Sequence, residues 1–219
     1  MSDARFRALA RQAAGRYPDF FARRFAYGKL TRDPAFAHIL DAGLVAPGVR
    51  VVDLGCGQGL LAALLAANGV DVRFTGIDLM ARDIDRAKHA CPGANFIAGD
   101  IRTTGFGAAE AVVILDVLHY IDYAAQAEVL QRVRTALERG GVLLLRVGDE
   151  SPSLRFRITL AVDRIAMRVR GHRLARLYCK PLAQWTRALE ALGFSVTATP
   201  MSAGTPFANV LLVARYHGR

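Results

Sequence analysis

Cysteine, lysine and tryptophan are scarce in this chain of 219 residues. The three cysteines, Cys56, Cys91 and Cys179, are odd in number and unclustered, which argues against a disulfide framework and a zinc site. No apolar run reaches the roughly 18 residues that a membrane-spanning helix needs. The arginine-containing start, residues 1–11, is not followed by the apolar stretch of a signal peptide. The sequence therefore predicts a cytoplasmic protein with one sizeable core and no metal centre.

Basic residues outnumber acidic ones, and the excess lies at the two ends of the chain. Residues 1–32 hold eight Lys and Arg against two acidic residues, for a net +6, and residues 150–219 hold eleven against three, for +8. Residues 33–149 hold ten against fourteen, for −4. The strong preference for arginine is typical of a GC-rich genome, but such a bias does not explain this segregation. A positive field attracts anionic partners, so nucleic acid, an anionic membrane surface and an acidic carrier protein are all candidates.

The most informative motif is residues 51–59, Val-Val-Asp-Leu-Gly-Cys-Gly-Gln-Gly. Three glycines stand at alternate positions after two β-branched residues and an acid, and an apolar run follows. This pattern predicts a buried strand, a tight turn and the start of a helix. Glycine permits positive φ and close approach of a ligand, and a helix N-terminus offers N–H groups. The motif therefore predicts a nucleotide-cofactor site.

The glycine spacing distinguishes between cofactors. A dinucleotide site has G-x-G-x-x-G, whereas here Leu60 stands where the third glycine belongs. The motif instead resembles motif I of class I S-adenosylmethionine (SAM)-dependent methyltransferases. The resemblance implies that SAM is the cofactor and that its methionine half is surrounded by the acid and the glycine loop. These residues are Asp53, Gly55, Cys56, Gly57 and Gly59.

Further acidic residues follow predicted strands in the order that this family shows. Asp78 ends the strand 72–78, with Leu79 beside it, and a carboxylate there can accept hydrogen bonds from a ribose diol. Asp100 and Ile101 follow the short strand 94–98, and the resemblance assigns the adenine amino group to Asp100.

The alternation of strands and helices predicts an α/β fold. With the resemblance, we expect a Rossmann-like, doubly wound sheet of seven strands with an antiparallel last strand, N-terminal helices and a helical insertion after strand 5. Helices are predicted at 4–25 (broken near Pro18), 34–44, 59–68, 80–90, 122–138 and 181–192, and strands at 49–54, 72–78, 94–98, 111–115, 142–147, 194–200 and 208–215. Residues 23–30 are interpreted as an aromatic–basic connector, and Gly140-Gly141 as a hairpin-like entry to strand 5.

We expect one methyltransferase domain over residues 1–219. It divides into an N-terminal helical cap (1–46), a SAM-binding core (47–150), a basic helical insertion (151–180) and a C-terminal helix with strands (181–219). In the insertion, an apolar stripe over 154–169 predicts a helix, and arginines that include Arg164 and Arg168 lie on another of its faces. Such a helix either packs on its own core or forms a substrate lid that meets a membrane or an acidic partner.

The fourth strand, 111–115, ends in Asp116, and in the resembled family this strand ends beside the transferring methyl group. An oxygen acceptor needs a base or a partner that holds it ionised. His119 is the leading candidate by position and by the usual range of histidine pKa values. Asp116 is the second candidate, and His119 could equally be structural. More distant candidates are Tyr120, His172 and Tyr178.

The residues after this strand also bear on the acceptor. Asp116-Val117-Leu118-His119 lacks the Asn/Asp-Pro-Pro-aromatic motif of enzymes that methylate nucleic-acid amino groups. Residues 204–215 and 23–30 resemble small bacterial methyltransferases of fatty-acid, polyketide or aryl-polyene pathways. The leading prediction is O-methylation of a small-molecule or carrier-bound, lipid- or polyketide-like acceptor. The alternatives are an RNA methyltransferase and a non-catalytic SAM-binding protein. The basic insertion is the predicted docking site for an acyl carrier protein or a membrane surface, so peripheral membrane attachment stays open.

Overall fold

The computed structural model describes residues 1–150, 177–205 and 207–218, together with Ile158 and Ala161. The rest of the predicted basic insertion, including His172, lies outside the described residues. By its contacts the chain separates into two compact units, Met1–Val113 and Ile114–Arg219. The predicted organisation as one domain stays a prediction.

Seven strands of the described chain form one mixed sheet in the order β3-β2-β1-β4-β5-β7-β6. They are β1 (Arg50–Leu54), β2 (Arg73–Asp78), β3 (Asn95–Ala98), β4 (Ala109–Leu115), β5 (Leu137–Gly148), β6 (Phe194–Pro200) and β7 (Asn209–Tyr216). β1 pairs in parallel with β2 and β4, and β2 with β3, whereas β7 is antiparallel to β5 and β6. The predicted Rossmann-like sheet with an antiparallel last strand is confirmed.

The first unit begins with three helices, α1 (Asp3–Gly15), α2 (Phe20–Arg32) and α3 (Pro34–Asp41). The predicted break near Pro18 is confirmed, and Asp19 caps α2 by accepting a hydrogen bond from the backbone N–H of Ala22 at 2.8 Å. The connector predicted at 23–30 is wrong, because these residues continue α2. Ala22, Ala26 and Leu30 recur every four residues and are buried, which gives the helix a packing face.

The rest of the first unit alternates strands with α4 (Leu60–Ala67) and α5 (Ala81–Ala90). α4 is apolar throughout, and Leu60 to Leu65 are all buried. β1 is buried from Val51 to Leu54, as expected for a strand covered on both faces. The rings of Phe74 and Phe96 lie 5.9 Å apart between their centroids.

The second unit contains a short 3₁₀ turn (Leu118–Tyr120), α6 (Tyr123–Ala136) and α7 (Leu182–Ala191). β5 starts at Leu137, directly after α6, so the predicted strand 142–147 was too short and the hairpin-like entry at Gly140-Gly141 was wrong. Gly140 has a φ of +83°, a conformation that glycine adopts without strain. Within the described residues, no helix is long and apolar enough to cross a membrane.

Candidate active site

The glycine-rich loop between β1 and α4 is fixed by β2. Gly55, Gly57 and Gly59 have φ values of +83°, +53° and +73°, as the motif predicts. The backbone N–H groups of Gly55 and Cys56 both donate to the carbonyl oxygen of Ile77, at 2.7 and 3.1 Å. The loop is therefore held against the end of a neighbouring strand before any ligand binds.

The glycines of the loop have different steric roles. A Cβ added at Gly59 would lie 3.0 Å from Cβ of Ala87 and 3.0 Å from the ring of Phe96. By contrast, apart from the two chain neighbours of Gly57, no described residue has an atom within 4 Å of a Cβ built there. Gly59 is thus required for packing and for its positive φ, whereas Gly57 borders open space where a ligand can approach the backbone.

Asp78 joins the loop to the end of β2. One of its carboxylate oxygens accepts a hydrogen bond from the N–H of Gly57 at 2.8 Å, and the other accepts from the N–H of Met80 at 2.9 Å. A carboxylate oxygen has two lone pairs, so both oxygens retain capacity for a ribose diol. Leu79 is exposed beside it.

Asp53 is the most unusual acid of the first unit, because it is buried near another carboxylate. Burial, and to a smaller extent the negative charge of Asp78, raises the pKa of Asp53 to about 8. A ligand with positive charge would relieve this unfavourable arrangement. SAM carries a sulfonium and an ammonium group, so the charge of this site fits the predicted cofactor.

Asp100 lies close to Asp78 along the sheet edge, because the N–H of Gly99 donates to the carbonyl oxygen of Asp78 at 2.9 Å. The side chain of Asp100 accepts a hydrogen bond from Nε of Arg102 at 2.9 Å. Ile101 between them is buried. The first unit therefore brings together all of the predicted cofactor residues that precede Asp116, while their roles stay predictions.

Two residues that hold the loop were missed from the sequence. The hydroxyl of Tyr17, just after α1, donates to the carbonyl oxygen of Gln58 at 2.9 Å, and Tyr17 is fully buried. The side-chain nitrogen of Gln58 lies 3.3 Å from a carboxylate oxygen of Asp83 in α5. Nothing in the spacing of Tyr17 distinguishes it from an ordinary core aromatic residue.

In the second unit, Asp116 is paired with an arginine that sequence reasoning also missed. Arg146 of β5 is only 2% exposed and engages both carboxylate oxygens of Asp116, with Nε 2.8 Å from the first. Asp116 has a φ of +59°, the only positive φ among the described non-glycine residues. The sequence did contain a signal for this pair, because a single arginine within the apolar run 142–147 requires a counter-charge nearby.

His119 lies in the 3₁₀ turn after Asp116 and is buried. Burial lowers the pKa of His119 to about 4; the Asp116 carboxylate opposes this shift and the Arg146 guanidinium adds to it. The imidazole is therefore neutral at physiological pH. The ring of Tyr120 packs on it with centroids 4.1 Å apart.

The segment 177–181 is tied to this turn and to α6. The N–H of Tyr178 donates to the carbonyl oxygen of His119 at 2.9 Å, and Nε2 of the buried Gln126 donates to the carbonyl oxygen of Tyr178 at 2.8 Å. The ammonium group of Lys180 lies 5.2 Å from the ring centroid of Tyr123 and 4.7 Å from that of Trp185. Tyr178 is thus bonded through its backbone to the turn that carries His119, and this bond supports the turn.

No group of three or more His, Cys, Asp or Glu residues within the described chain is placed to hold a metal ion.

Comparison with known proteins finds similarity over the part of the chain that holds the glycine loop and the acidic strand ends. A profile described as a methyltransferase domain matches residues 51–141. Trans-aconitate 2-methyltransferase from Paracidovorax citrulli is 35% identical over 48% of this chain and 42% of its own length. Carboxy-S-adenosyl-L-methionine synthase from Chromohalobacter salexigens is 32% identical over 51% of this chain and 47% of its own. The chain thus spans about half the length of the curated relatives it matches.

Solved structures agree at the level of the fold. Magnesium protoporphyrin IX methyltransferase from Synechocystis PCC 6803, crystallised with bound SAH, superposes with a TM-score of 0.63. The match covers 91% of this chain and 88% of that chain, at 20% sequence identity. The sequence matches show a methyltransferase domain over residues 51–141. Together with the glycine loop and the acidic strand ends, they support a class I SAM-dependent methyltransferase with SAM as its cofactor.

Proposed function

We propose that this protein O-methylates a small-molecule or carrier-bound, lipid- or polyketide-like acceptor. When bound, SAM supplies a methyl group already activated on a sulfonium. The protein therefore has mainly to position the acceptor, which is worth roughly 7–11 kcal/mol in favourable cases. The observation that carries the proposal is the group formed by the half-buried Asp116 with the buried Arg146 and His119, in which an acid fixed by an arginine accompanies a neutral imidazole.

The cofactor would be held by the first unit. Asp78 would accept hydrogen bonds from the ribose, and Asp100 would contact the adenine amino group. Asp53 and the glycine loop would surround the methionine half, where the buried carboxylate would be stabilised by positive charge. Leu79 and Ile101 would provide apolar contacts to the cofactor. Leu79 is exposed beside Asp78, and Ile101 is buried beside Asp100.

The low pKa of His119 narrows the class of acceptor. A base whose conjugate acid has a pKa of about 4 takes a proton from an ordinary hydroxyl poorly. An acidic oxygen, such as a carboxylate or an enol, needs little or no help from a base. The relative named trans-aconitate 2-methyltransferase is named for a substrate that bears carboxylates, which agrees with this preference.

Isotopically labelled SAM offers a direct test. The purified protein would be incubated with carboxylic acids, phenols, acyl carrier proteins loaded with acyl chains, and RNA, and the products would be identified by mass spectrometry. Label on the oxygen of a small or carrier-bound acceptor supports the proposal. Label on RNA alone would replace it with the alternative that the basic chain ends suggest.

Replacing His119 by Ala separates catalysis from cofactor binding. If His119 acts as a base, turnover should fall by ~100-fold, the lower end of the usual range for general bases, while SAM affinity is unchanged. At saturating SAM, the rate with an acidic acceptor should stay flat from neutral pH upwards, because His119 is already neutral there. A loss of only a few-fold would assign positioning to His119 and transfer the base role to Asp116.

A further inference from the structure

Helix α2 has an unusual distribution of side chains, because its smallest apolar residues are buried and its largest are exposed. The buried face consists of Ala22, Ala26 and Leu30. On a helix with 3.6 residues per turn, positions 20, 21, 24, 25 and 32 fall within one arc of about 140° on the other side. Ordinary amphipathic packing would place the aromatic residues inward.

The exposure of these aromatic side chains is large. Phe20 is 70% exposed, Phe21 is 78% exposed and Phe25 is 47% exposed. The rings of Phe20 and Phe21 contact each other edge-to-face, with centroids 5.8 Å apart. Three adjacent exposed phenylalanines form a contiguous apolar patch, and such patches mark sites of interaction with a partner or a membrane.

Two arginines lie on the same arc as the phenylalanines. Arg24 stands between them along the helix, and both Arg24 and Arg32 are exposed. A Cβ added at Gly28 would lie 3.9 Å from a guanidinium nitrogen of Arg32, so this side chain extends back along the helix towards the patch. Neither arginine forms an ion pair with a residue that the structure describes, in contrast to Lys29, which pairs with Asp33 at 2.8 Å. We call Phe20, Phe21, Arg24, Phe25 and Arg32 the aromatic face of α2.

We propose that the aromatic face of α2 docks on an anionic lipid surface. Phenylalanine rings enter the boundary between headgroups and acyl chains, and flanking arginines contact lipid phosphates. The charge of the region suits such a partner, since residues 1–32 carry a net +6. A second copy of the chain fits less well, because Arg24 and Arg32 would meet the same cations on its face. The proposal is independent of which acceptor the protein methylates.

Vesicle flotation tests the proposal with the whole protein. The protein would be mixed with vesicles of phosphatidylcholine alone or of phosphatidylcholine with phosphatidylglycerol. We expect flotation with the anionic vesicles and little with the neutral ones. Replacing Phe20, Phe21 and Phe25 by Ser should weaken anionic-vesicle binding about tenfold or more. These side chains are exposed, so circular dichroism and SAM affinity should match those of the wild type.

Two matched double variants distinguish the contribution of the aromatic face from the contribution of the protein's net charge. Arg24→Gln with Arg32→Gln removes two charges from the aromatic face, whereas Arg187→Gln with Arg215→Gln removes two exposed charges from α7 and β7. The first pair should weaken binding to anionic vesicles about tenfold more than the second. Equal losses would overturn the proposal, because net charge alone would then explain binding.

Two other outcomes would also overturn it. The first is failure of the wild type to float with anionic vesicles at low salt. The second is retention of the wild type on an immobilised acyl carrier protein, lost in the Phe variant while vesicle binding is unchanged. That result would assign the aromatic face to an acidic protein partner. None of these readouts depends on methyl transfer, so they are distinct from a failure of the proposed function.

Discussion

Asp53 and Asp116 are two acidic residues at strand ends that the fold treats in opposite ways. Asp53, in β1, is buried near a second carboxylate, and its pKa is raised to about 8. Asp116, just after β4, has both carboxylate oxygens engaged by the buried Arg146. Asp53 is therefore mostly protonated at neutral pH until a bound cation favours its ionised form, whereas Asp116 has its counter-charge in the chain.

This difference indicates that Asp53 belongs to a ligand site, whereas Asp116 belongs to a rigid support. A carboxylate with a built-in arginine is fixed in position and responds little to ligands, as suits a group that positions an acceptor. A buried carboxyl group without such compensation takes up a proton, and a cationic ligand can shift it to the ionised form. The ionisation of Asp53 should therefore respond to SAM binding and to pH. Asp116 should respond to removal of its partner Arg146.

The largest expected effect is on stability, when the counter-charge of Asp116 is removed. Arg146→Met leaves a carboxylate that is 28% exposed without its partner, so we expect a loss of about 3 kcal/mol, the lower end of the range for broken buried pairs. Urea denaturation measures this loss. The double variant Asp116→Asn, Arg146→Met should recover part of it, and additive losses would show that the pair is not coupled.

The next effect is on SAM affinity, when Asp78 is changed. Asp78→Ala removes proposed charge-assisted hydrogen bonds to the ribose, worth about 1.5–3 kcal/mol each, and also releases the N–H of Gly57. We expect binding to weaken roughly tenfold or more in calorimetry. Asp85→Ala, at an exposed position of α5, removes the same charge and should bind as the wild type. Equal affinity of all three proteins would remove Asp78 from the site.

A third test uses pH to probe Asp53. Its pKa is raised from 3.8 to about 8 in the folded protein, so its contribution to stability is complete below pH ~4 and is lost as pH rises through 8. A cationic ligand lowers this pKa, so SAM should bind about tenfold more tightly per unit of pH between 6 and 7.5, with release of a proton. Calorimetry in two buffers counts that proton. In Asp53→Asn the release should disappear; persistence would trace it to another group.

The smallest expected effect concerns the bond between α1 and the glycine loop. Tyr17→Phe removes a buried hydrogen bond to Gln58 and leaves its carbonyl without that donor, so we expect a loss of about 1 kcal/mol in stability. SAM affinity should fall a few-fold, because the loop is less fixed. Tyr27→Phe, in α2, is the matched control. If both variants lose equally, the hydroxyl of Tyr17 has no special role.

The sequence predicted the sheet and the cofactor loop because their signals are local. Glycines at alternate positions require a particular backbone, and Asp53, Asp78 and Asp100 follow short apolar strands in a fixed order. The structure gives Gly55, Gly57 and Gly59 the expected positive φ values. Parallel strands bring their carboxyl ends together, so position along the chain was enough to place these residues.

Contacts between distant residues could not be read in the same way. Tyr17 reaches Gln58 across 41 positions and Arg146 reaches Asp116 across 30, and neither pair has a recognisable spacing. Residues 23–30 were interpreted as an aromatic–basic connector, whereas they continue helix α2, and Ala26 and Leu30 among them are buried packing residues. The repeat of Ala22, Ala26 and Leu30 at every fourth position was the local signal for the helix.

The arrangement around Lys180 provides an intrinsic fluorescence probe, Trp185. The chain has one tryptophan, Trp185, whose buried ring lies 4.7 Å from the Lys180 ammonium group. Indole emission responds to nearby charge and to polarity, so its wavelength and intensity report on where segment 177–181 sits. A fluorescence titration with acceptors or vesicles would therefore follow rearrangement of this segment without any added label.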